Sequence, residues 1–285
     1  MTLPNFFIAG APKAGTDLLF YQLEQHPQIY MSPLKEPNFF AEEVRPERFH
    51  PSLREHAEAQ KTSTQNYLDA AHRGKRFGGI ITSLEEYASL FRDAEGHTAI
   101  GEGSVCYLWS KTAAAAIARL IPQARIILTL MDPSTRAFHQ YLKSFSDKAV
   151  SHSFSHHLDL AFDDRIGDQP QDQIRIYNPL LALGEYAGQI ERFIDSFPKE
   201  QLFISLYEDS QEDYALWFAD LLHFLEVDSG FMLSEVNVPS TPHFTADNPR
   251  PILLPEDRAR LVSFYCNDIL RLEEIIDRDL SGWLI

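Results

Sequence analysis

From its first residues the chain alternates short apolar runs with longer amphipathic stretches. Phe6–Ala9 is continuously apolar, the loop Gly10-Ala-Pro-Lys13-Ala-Gly15-Thr16 follows, and Leu18–Gln25 then repeats apolar residues at helical spacing. This is the pattern of a buried strand, a glycine-containing turn and a helix. Gln28–Met31 predicts a second strand, running into the loop Ser32-Pro-Leu-Lys35-Glu36-Pro37. Ala99–Ser104 reads as the end of another strand, and Gln201–Tyr207 as a later one. Arg125–Leu130 is almost unbroken in apolar character, as a strand buried on both faces must be.

Between these runs the period changes from strand-like to helical. Ser83, with Glu85 and Glu86 two and three residues on, has the form of a capping box ahead of a short helix. Ala113–Ile121, the segment from Pro133 to Phe145, Tyr186–Phe197, Tyr214–Leu225 and Pro255–Asp279 are predicted helices. Two stretches show no clear period: residues 41–79 are expected to be a long, partly helical excursion over the surface, and 146–172 to be loop-rich. Strands alternating with helices predict a three-layer α/β fold, a central parallel sheet with helices on both faces. No repeat, low-complexity tract or linker divides the sequence, so residues 1–285 are read as one domain.

Composition narrows the function classes. With 285 residues, 44% hydrophobic and 23% charged, the chain is long enough for a self-supporting core and is neither disordered nor fibrous. Twenty-five Lys and Arg stand against 41 Asp and Glu, a net charge of −16 that repels polyanions and argues against a nucleic-acid partner. A local basic pocket for one phosphate ester is compatible with that total, because its field is set by nearby groups. Cys106 and Cys266 lie far apart and read as thiols, which fits a reducing, cytoplasmic compartment. The start of the chain has no basic residue before Lys13 and lacks the form of a signal peptide. No apolar run approaches the ~20 residues of a bilayer span, so no membrane association is expected. His152 and His156, four apart, have a spacing that can chelate zinc, but His152, His156, His157 and Asp159 lie in a serine-rich, solvated context and no metal is expected.

The turn after the first strand is the strongest chemical signal. A glycine-containing turn at a helix N-terminus gathers free backbone N–H groups and the positive end of the helix dipole, a ready anion site, and Lys13 adds a cation. Pro-Lys-Ala-Gly-Thr lacks the longer GxxxxGK[ST] spacing of nucleoside triphosphatases, so by itself the turn leaves open a tight bend with a surface lysine.

Further segments give that turn a context. Phe6-Phe-Ile-Ala-Gly-Ala-Pro-Lys13-Ala-Gly15-Thr16, followed by His26-Pro-Gln-Ile-Tyr-Met-Ser-Pro-Leu-Lys35-Glu36-Pro-Asn-Phe39-Phe40, resembles the start of sulfotransferases that use 3′-phosphoadenosine 5′-phosphosulfate (PAPS), in their bacterial and carbohydrate-type branch. The landmarks continue in order through Ile100-Gly-Glu102-Gly-Ser104, Arg125-Ile-Ile-Leu, Asp132-Pro-Ser-Thr-Arg136-Ala-Phe-His139, Gly184-Glu-Tyr186, Tyr207-Glu208-Asp209 and Arg278 to Trp283.

The resemblance implies a P-loop-like nucleotide site in which Lys13, Ala14, Gly15, Thr16 and Asp17 line the 5′-phosphosulfate, with Lys13 stabilising the leaving phosphate. PAPS is then the donor substrate and no metal is required, because the lysine and the backbone N–H groups meet the developing charge. Glu36, in Glu-x-x-Phe-Phe, matches the family's catalytic glutamate and becomes the general base that takes the acceptor's proton. Phe39 and Phe40 are expected to raise its pKa by desolvation. The implied activity is sulfonate transfer to a hydroxyl, less readily an amine, of a small molecule or glycan.

The sequence departs from that family in one pocket. An arginine and a serine that hold the donor's 3′-phosphate are replaced by Met131 and His139, and Asp17 stands where Thr or Ser is common. Arg136, His139 and Arg250 are the candidates to meet the 3′-phosphate instead. Two alternatives follow from the same departures: a catalytically silent binding or regulatory protein on this scaffold, or a transferase whose donor lacks the 3′-phosphate. Glu102, Ser104 and Tyr107 sit after a strand, where an acceptor cleft would open, with Tyr107 equally at home in the core. Tyr186 and Gln189 are expected to pack rather than bind, and Trp283 to plug the end of the last helix. The sequence carries no signal for the acceptor's identity or the oligomeric state.

Overall fold

A computed structural model describes residues 2–49, 51–70, 74–166, 179–235, 238, 242–245 and 249–285. In chain order its main elements are β1 (Phe6–Gly10), α1 (Thr16–Leu23), β2 (Ile29–Met31), β3 (Leu34–Lys35), α2 (Pro51–Asp69), β4 (Arg76–Phe77) and α3 (Leu84–Ala88). Next come β5 (Ala99–Gly103), α4 (Cys106–Trp109), α5 (Ala113–Leu120), β6 (Arg125–Leu130), α6 (Pro133–Ser146) and α7 (Phe154–Ile166). The chain continues through α8 (Ala187–Ser196), β7 (Leu202–Leu206), α9 (Tyr207–Glu212), α10 (Tyr214–Phe224) and α11 (Pro255–Ile276).

The main sheet has the order β2-β5-β1-β6-β7, with all neighbours parallel. Because side chains alternate across a strand, the apolar run of β1 serves both faces. Phe6 and Ile8 join Ile127 of β6 on one side, under Leu19, Phe20 and Leu23 of α1 and Trp217, Phe218 and Leu221 of α10. Phe7 and Ala9 join Ile126 and Leu128 on the other, under Tyr107, Ile117, Tyr141, Ile190 and Tyr265 from α4, α5, α6, α8 and α11. The expected three layers are the ones found. Each fully buried phenylalanine here contributes about 1.5–3 kcal/mol through removal of its surface from water. The Phe6 ring crosses its neighbouring strand where Gly101 leaves room: a Cβ at 101 would stand 2.1 Å from Phe6 Cζ.

The 41–79 stretch is partly helical as expected, with a strand added, and the 146–172 stretch needs correction. The 41–79 excursion contains the 19-residue helix α2, and its last part returns as β4, which pairs in parallel with β3 to form a second, two-stranded sheet. The narrow apolar stripe of α2, with Ala57 and Leu68 buried among many charges, hid its period. Part of the supposed loop at 146–172 is the helix α7, in which, among the described side chains, only Phe154 and Leu158, one turn apart, are buried, too few to set an amphipathic pattern. The remainder of that stretch, 167–172, lies outside the described residues. Among the described residues no helix is long and apolar enough to cross a membrane.

Candidate functional site

The sheet order reverses at β1: β2 and β5 lie on one side of it, β6 and β7 on the other. At such a switch point the loops leaving the C-terminal strand ends part, and open parallel sheets hold ligands there. A cleft of about 510 Å³ occupies this place, walled by Lys13–Leu19 from the first turn and by Thr129 and Met131 from the end of β6. His139 and Leu142 of α6 close one flank, and Tyr207, Ser210, Tyr214 and Trp217 of α9 and α10 the other. Phe244 and Arg250 form the rim.

Gly15 caps α1 in a left-handed conformation, φ 81°, and has no side chain to accept from the helix's first N–H groups. That leaves donors and a dipole end directed at the cleft, as an anion site requires. Lys13 is itself left-handed, φ 72°. Burial holds its pKa below the ordinary lysine value, Lys143 and Lys35 push the same way, and Asp17 and Glu36 oppose them. Among the described residues its ammonium has no ion-pair partner, in contrast to Lys35. Of the other wall residues, Thr129 and Trp217 are buried, and among the described residues Thr129 Oγ1 and Trp217 Nε1, which lie behind the cleft surface, have no hydrogen-bond partner.

Glu36 is not on the wall of this cleft. It is buried, 8% exposed, and is tied to the cleft by Lys35, whose ammonium stands 3.0 Å from Glu36 Oε1 and 2.6 Å from Asp17 Oδ1. The Val105 backbone N–H donates to the other Glu36 oxygen at 3.1 Å. Burial pushes the Glu36 pKa up against the pull of Lys35, while Lys35 is raised in turn, its two carboxylates outweighing its desolvation. Glu36 and Asn38 are both left-handed, φ 62° and 59°. The strain is held by Asn38, whose side-chain amide donates to the carbonyls of Glu36 and Gly79 and whose backbone N–H donates to Ser104 Oγ.

The turn thus brings Lys13, Ala14, Gly15, Thr16 and Asp17 together with His139 and Arg250 around one cleft. Arg136 is the exception. It lies one turn before His139 on α6 but is fully buried, donating to Gln140 Oε1 at 2.8 Å and to the Leu180 carbonyl. It is a core arginine rather than an anion contact. Glu102, Ser104 and Tyr107 are likewise absent from the cleft wall: Tyr87, Ser104 and Tyr107 all donate to the Glu102 carboxylate in a closed network behind the Glu36 turn. Tyr186 donates to the Met131 carbonyl and Gln189 to that of Ala182, both packing roles, and Trp283 reaches Glu208. His152 and His157 share a hydrogen bond of 3.0 Å. Among the described residues no three metal-ligating side chains converge.

Sequence reasoning missed the flank formed by Tyr207, Ser210, Tyr214 and Trp217. Its signal was present, since Tyr207 directly follows the C-terminal end of a strand of the parallel sheet. Lys35 was noticed only as a neighbour of Glu36. Its position two residues after Pro33 carries no hint that it is buried.

The Sulfotransferase family model matches residues 4–230. The chain belongs to the sulfotransferase family. A solved sulfotransferase from Alicyclobacillus acidocaldarius is 31% identical, with a TM-score of 0.77 and 99% of each chain covered. The sulfotransferase domain of the Synechococcus PCC 7002 olefin synthase, 18% identical with a TM-score of 0.50 over 93% of this chain and 96% of that one, shares the fold. Among curated relatives, human bifunctional heparan sulfate N-deacetylase/N-sulfotransferase 3 is 29% identical over 237 residues, 82% of this chain and 23% of its own length. Rat carbohydrate sulfotransferase 15 is 25% identical over 322 residues, 99% of this chain and 54% of its own. The sulfotransferase-family chain therefore spans about half or less of these relatives.

Proposed function

We propose that this chain transfers a sulfonate group from PAPS to a hydroxyl of a small molecule or glycan. The observation that carries the reading is the Gly15-capped, lysine-bearing turn opening on a cleft at the sheet's switch point, with a buried glutamate bound to that turn through Lys35. In-line transfer needs the leaving group and the attacking oxygen on opposite sides of the sulfur. The nucleotide occupies the cleft and Glu36 serves the acceptor beyond it.

As the acceptor oxygen forms its bond to sulfur, the bond from sulfur to the 5′-phosphate oxygen breaks and its electron pair stays on the phosphate. Lys13 and the N–H groups of α1 meet that charge, and the acceptor's proton passes to Glu36. The names of the curated relatives favour a carbohydrate acceptor. A net charge of −16 weighs against a long polyanionic chain, which requires an extended basic groove.

Met131 on the cleft wall favours a second reading, a donor without the 3′-phosphate. Calorimetry decides between them. Micromolar binding of 3′-phosphoadenosine 5′-phosphate (PAP), tighter than that of adenosine 5′-phosphosulfate, is expected under the first reading, and the reverse order supports the second. Absence of binding by either ligand at millimolar concentration overturns both and leaves the silent scaffold.

A further inference from the structure

The ion group at residues 17, 35 and 36 contains one cation and two anions. Lys35 has only 2% of its side chain exposed, and its ammonium lies between Asp17 Oδ1 at 2.6 Å and Glu36 Oε1 at 3.0 Å. The Phe77 and Phe20 rings complete its surroundings, with centroids 4.9 and 5.9 Å away. In a buried lysine–glutamate pair the cation stabilises the carboxylate and makes it a poor proton acceptor. A second carboxylate sharing the same ammonium weakens that effect and adds its own negative field.

We propose that Asp17 is a positioning residue for Glu36: it holds the Lys35 ammonium between the donor loop and the glutamate, and so leaves Glu36 able to take a proton from the acceptor. The inference rests on Glu36 being the base. It also accounts for an acidic residue in a phosphate-binding turn. The carboxylate that would repel the donor is neutralised at close range by a buried cation, and the first turn of α1 becomes mechanically and electrostatically joined to the base. A threonine or serine at this position supplies no charge to divide the ammonium.

The groups that face Glu36 are few. Lys35 comes from its own strand, Asp17 from α1 and Lys13 from the preceding loop; Glu102 comes from β5, and the Val105 N–H and the Cys106 thiol from the turn into α4. Burial pushes the Cys106 thiol well above its ordinary range, so it stays neutral. Asp17 is the one anion among them that touches the Lys35 cation.

The test is a carbon-detected NMR titration of the full chain labelled at glutamate carboxyl carbons, with Glu36 assigned by its loss in Glu36→Gln. In Asp17→Asn the Glu36 midpoint is expected to fall by about one pH unit, and in Asp17→Glu to return toward wild type. Asp17 is a quarter exposed on the first helical turn, so these variants are tolerated; if Asp17→Asn fails to fold, Asp17→Thr carries the same expectation. A Glu36 midpoint that stays in place or rises in a folded variant, by circular dichroism, overturns the positioning role. PAP calorimetry on the wild type is independent of this outcome: a shifted midpoint without PAP binding overturns the sulfotransfer reading and leaves the ion group as described.

Discussion

Gly15 and Tyr207 are packed so closely that a Cβ on Gly15 would stand 3.2 Å from Cε2 of the Tyr207 ring. Gly15 also holds φ 81°, a conformation that a side chain disfavours. Gly15→Ala is therefore expected to destabilise the fold by about 1–2 kcal/mol and to push Tyr207 into the cleft. Thermal denaturation and PAP calorimetry check it. Adding Tyr207→Ala is expected to recover the packing part of the loss while the backbone part remains, so full recovery would show that the left-handed turn costs nothing.

Lys13 and Glu36 occupy different sides of the site, and their variants are expected to fail differently. Lys13→Ala removes a cation from the cleft wall and weakens PAP binding together with turnover, the latter by about 10²–10³-fold. Glu36→Gln leaves the cleft wall intact, so PAP affinity stays near wild type while turnover falls about 10²–10⁴-fold. The assay is PAPS consumption with an acceptor chosen from a panel of sugars and phenols. A Glu36→Gln enzyme at full rate removes the base assignment.

Met131 is buried on the cleft wall where the resemblance places a phosphate-binding arginine. Met131→Arg is expected to tighten PAP by about tenfold, since a charge-assisted hydrogen bond is worth about 1.5–3 kcal/mol. Adenosine 5′-phosphosulfate serves as the control. Equal tightening of both ligands would show a general gain in positive field rather than a contact to the 3′-phosphate.

His139 is held below the ordinary histidine pKa first by burial, then by the nearby charges of Arg250 and Lys13, with Asp132 opposing. It is therefore neutral at pH 7 in the free protein. A phosphate beside it favours the charged form, so PAP binding should take up a proton and strengthen as pH falls from 7 toward 5.5. Calorimetry in buffers of different ionisation enthalpy measures that uptake. The stability sign is opposite: the unfolded chain protonates this histidine first, so its contribution is present above the unfolded pKa and is lost as pH falls. His139→Ala should abolish the proton uptake.

The strands and the first turn were legible because their signals are local. Phe6–Ala9 and Arg125–Leu130 are apolar on both faces, and Lys13 and Gly15 at a helix start mark the turn, although only the further landmarks weigh an anion site over a tight bend. What the sequence hid depends on tertiary direction. Arg136 and His139 are three residues apart on one helix, yet only His139 reaches the cleft, because Arg136 is turned toward the Leu180 carbonyl. Lys35 follows a proline-bearing loop like any surface lysine, and only the pairing of β3 with β4 and the approach of α1 bury it between two carboxylates. α7 escaped notice because Phe154 and Leu158, the buried residues among its described side chains, do not set a period.

Glu102 supplies the clearest test of the buried network behind the Glu36 turn. Burial pushes its pKa up from 4.5 to about 7 despite hydrogen bonds from Tyr107, Ser104 and Tyr87. A carboxyl whose folded pKa is raised stabilises the fold fully below its unfolded pKa, and that contribution is lost as pH rises through the folded value. For this shift the loss between pH 4.5 and 7 is on the order of 3 kcal/mol. Glu102→Gln mimics the protonated form, so urea denaturation should find the variant's stability falling less than wild type between pH 5 and pH 8. A constant packing cost of the amide shifts both pH values alike and cannot imitate this change in slope. Glu36, also raised, keeps a slope of the same sign in the variant. Identical slopes in the two proteins would mean that the slope comes from the other raised carboxyls, Glu36, Glu208 and Asp268, and that the three hydroxyl donors hold Glu102 ionised throughout.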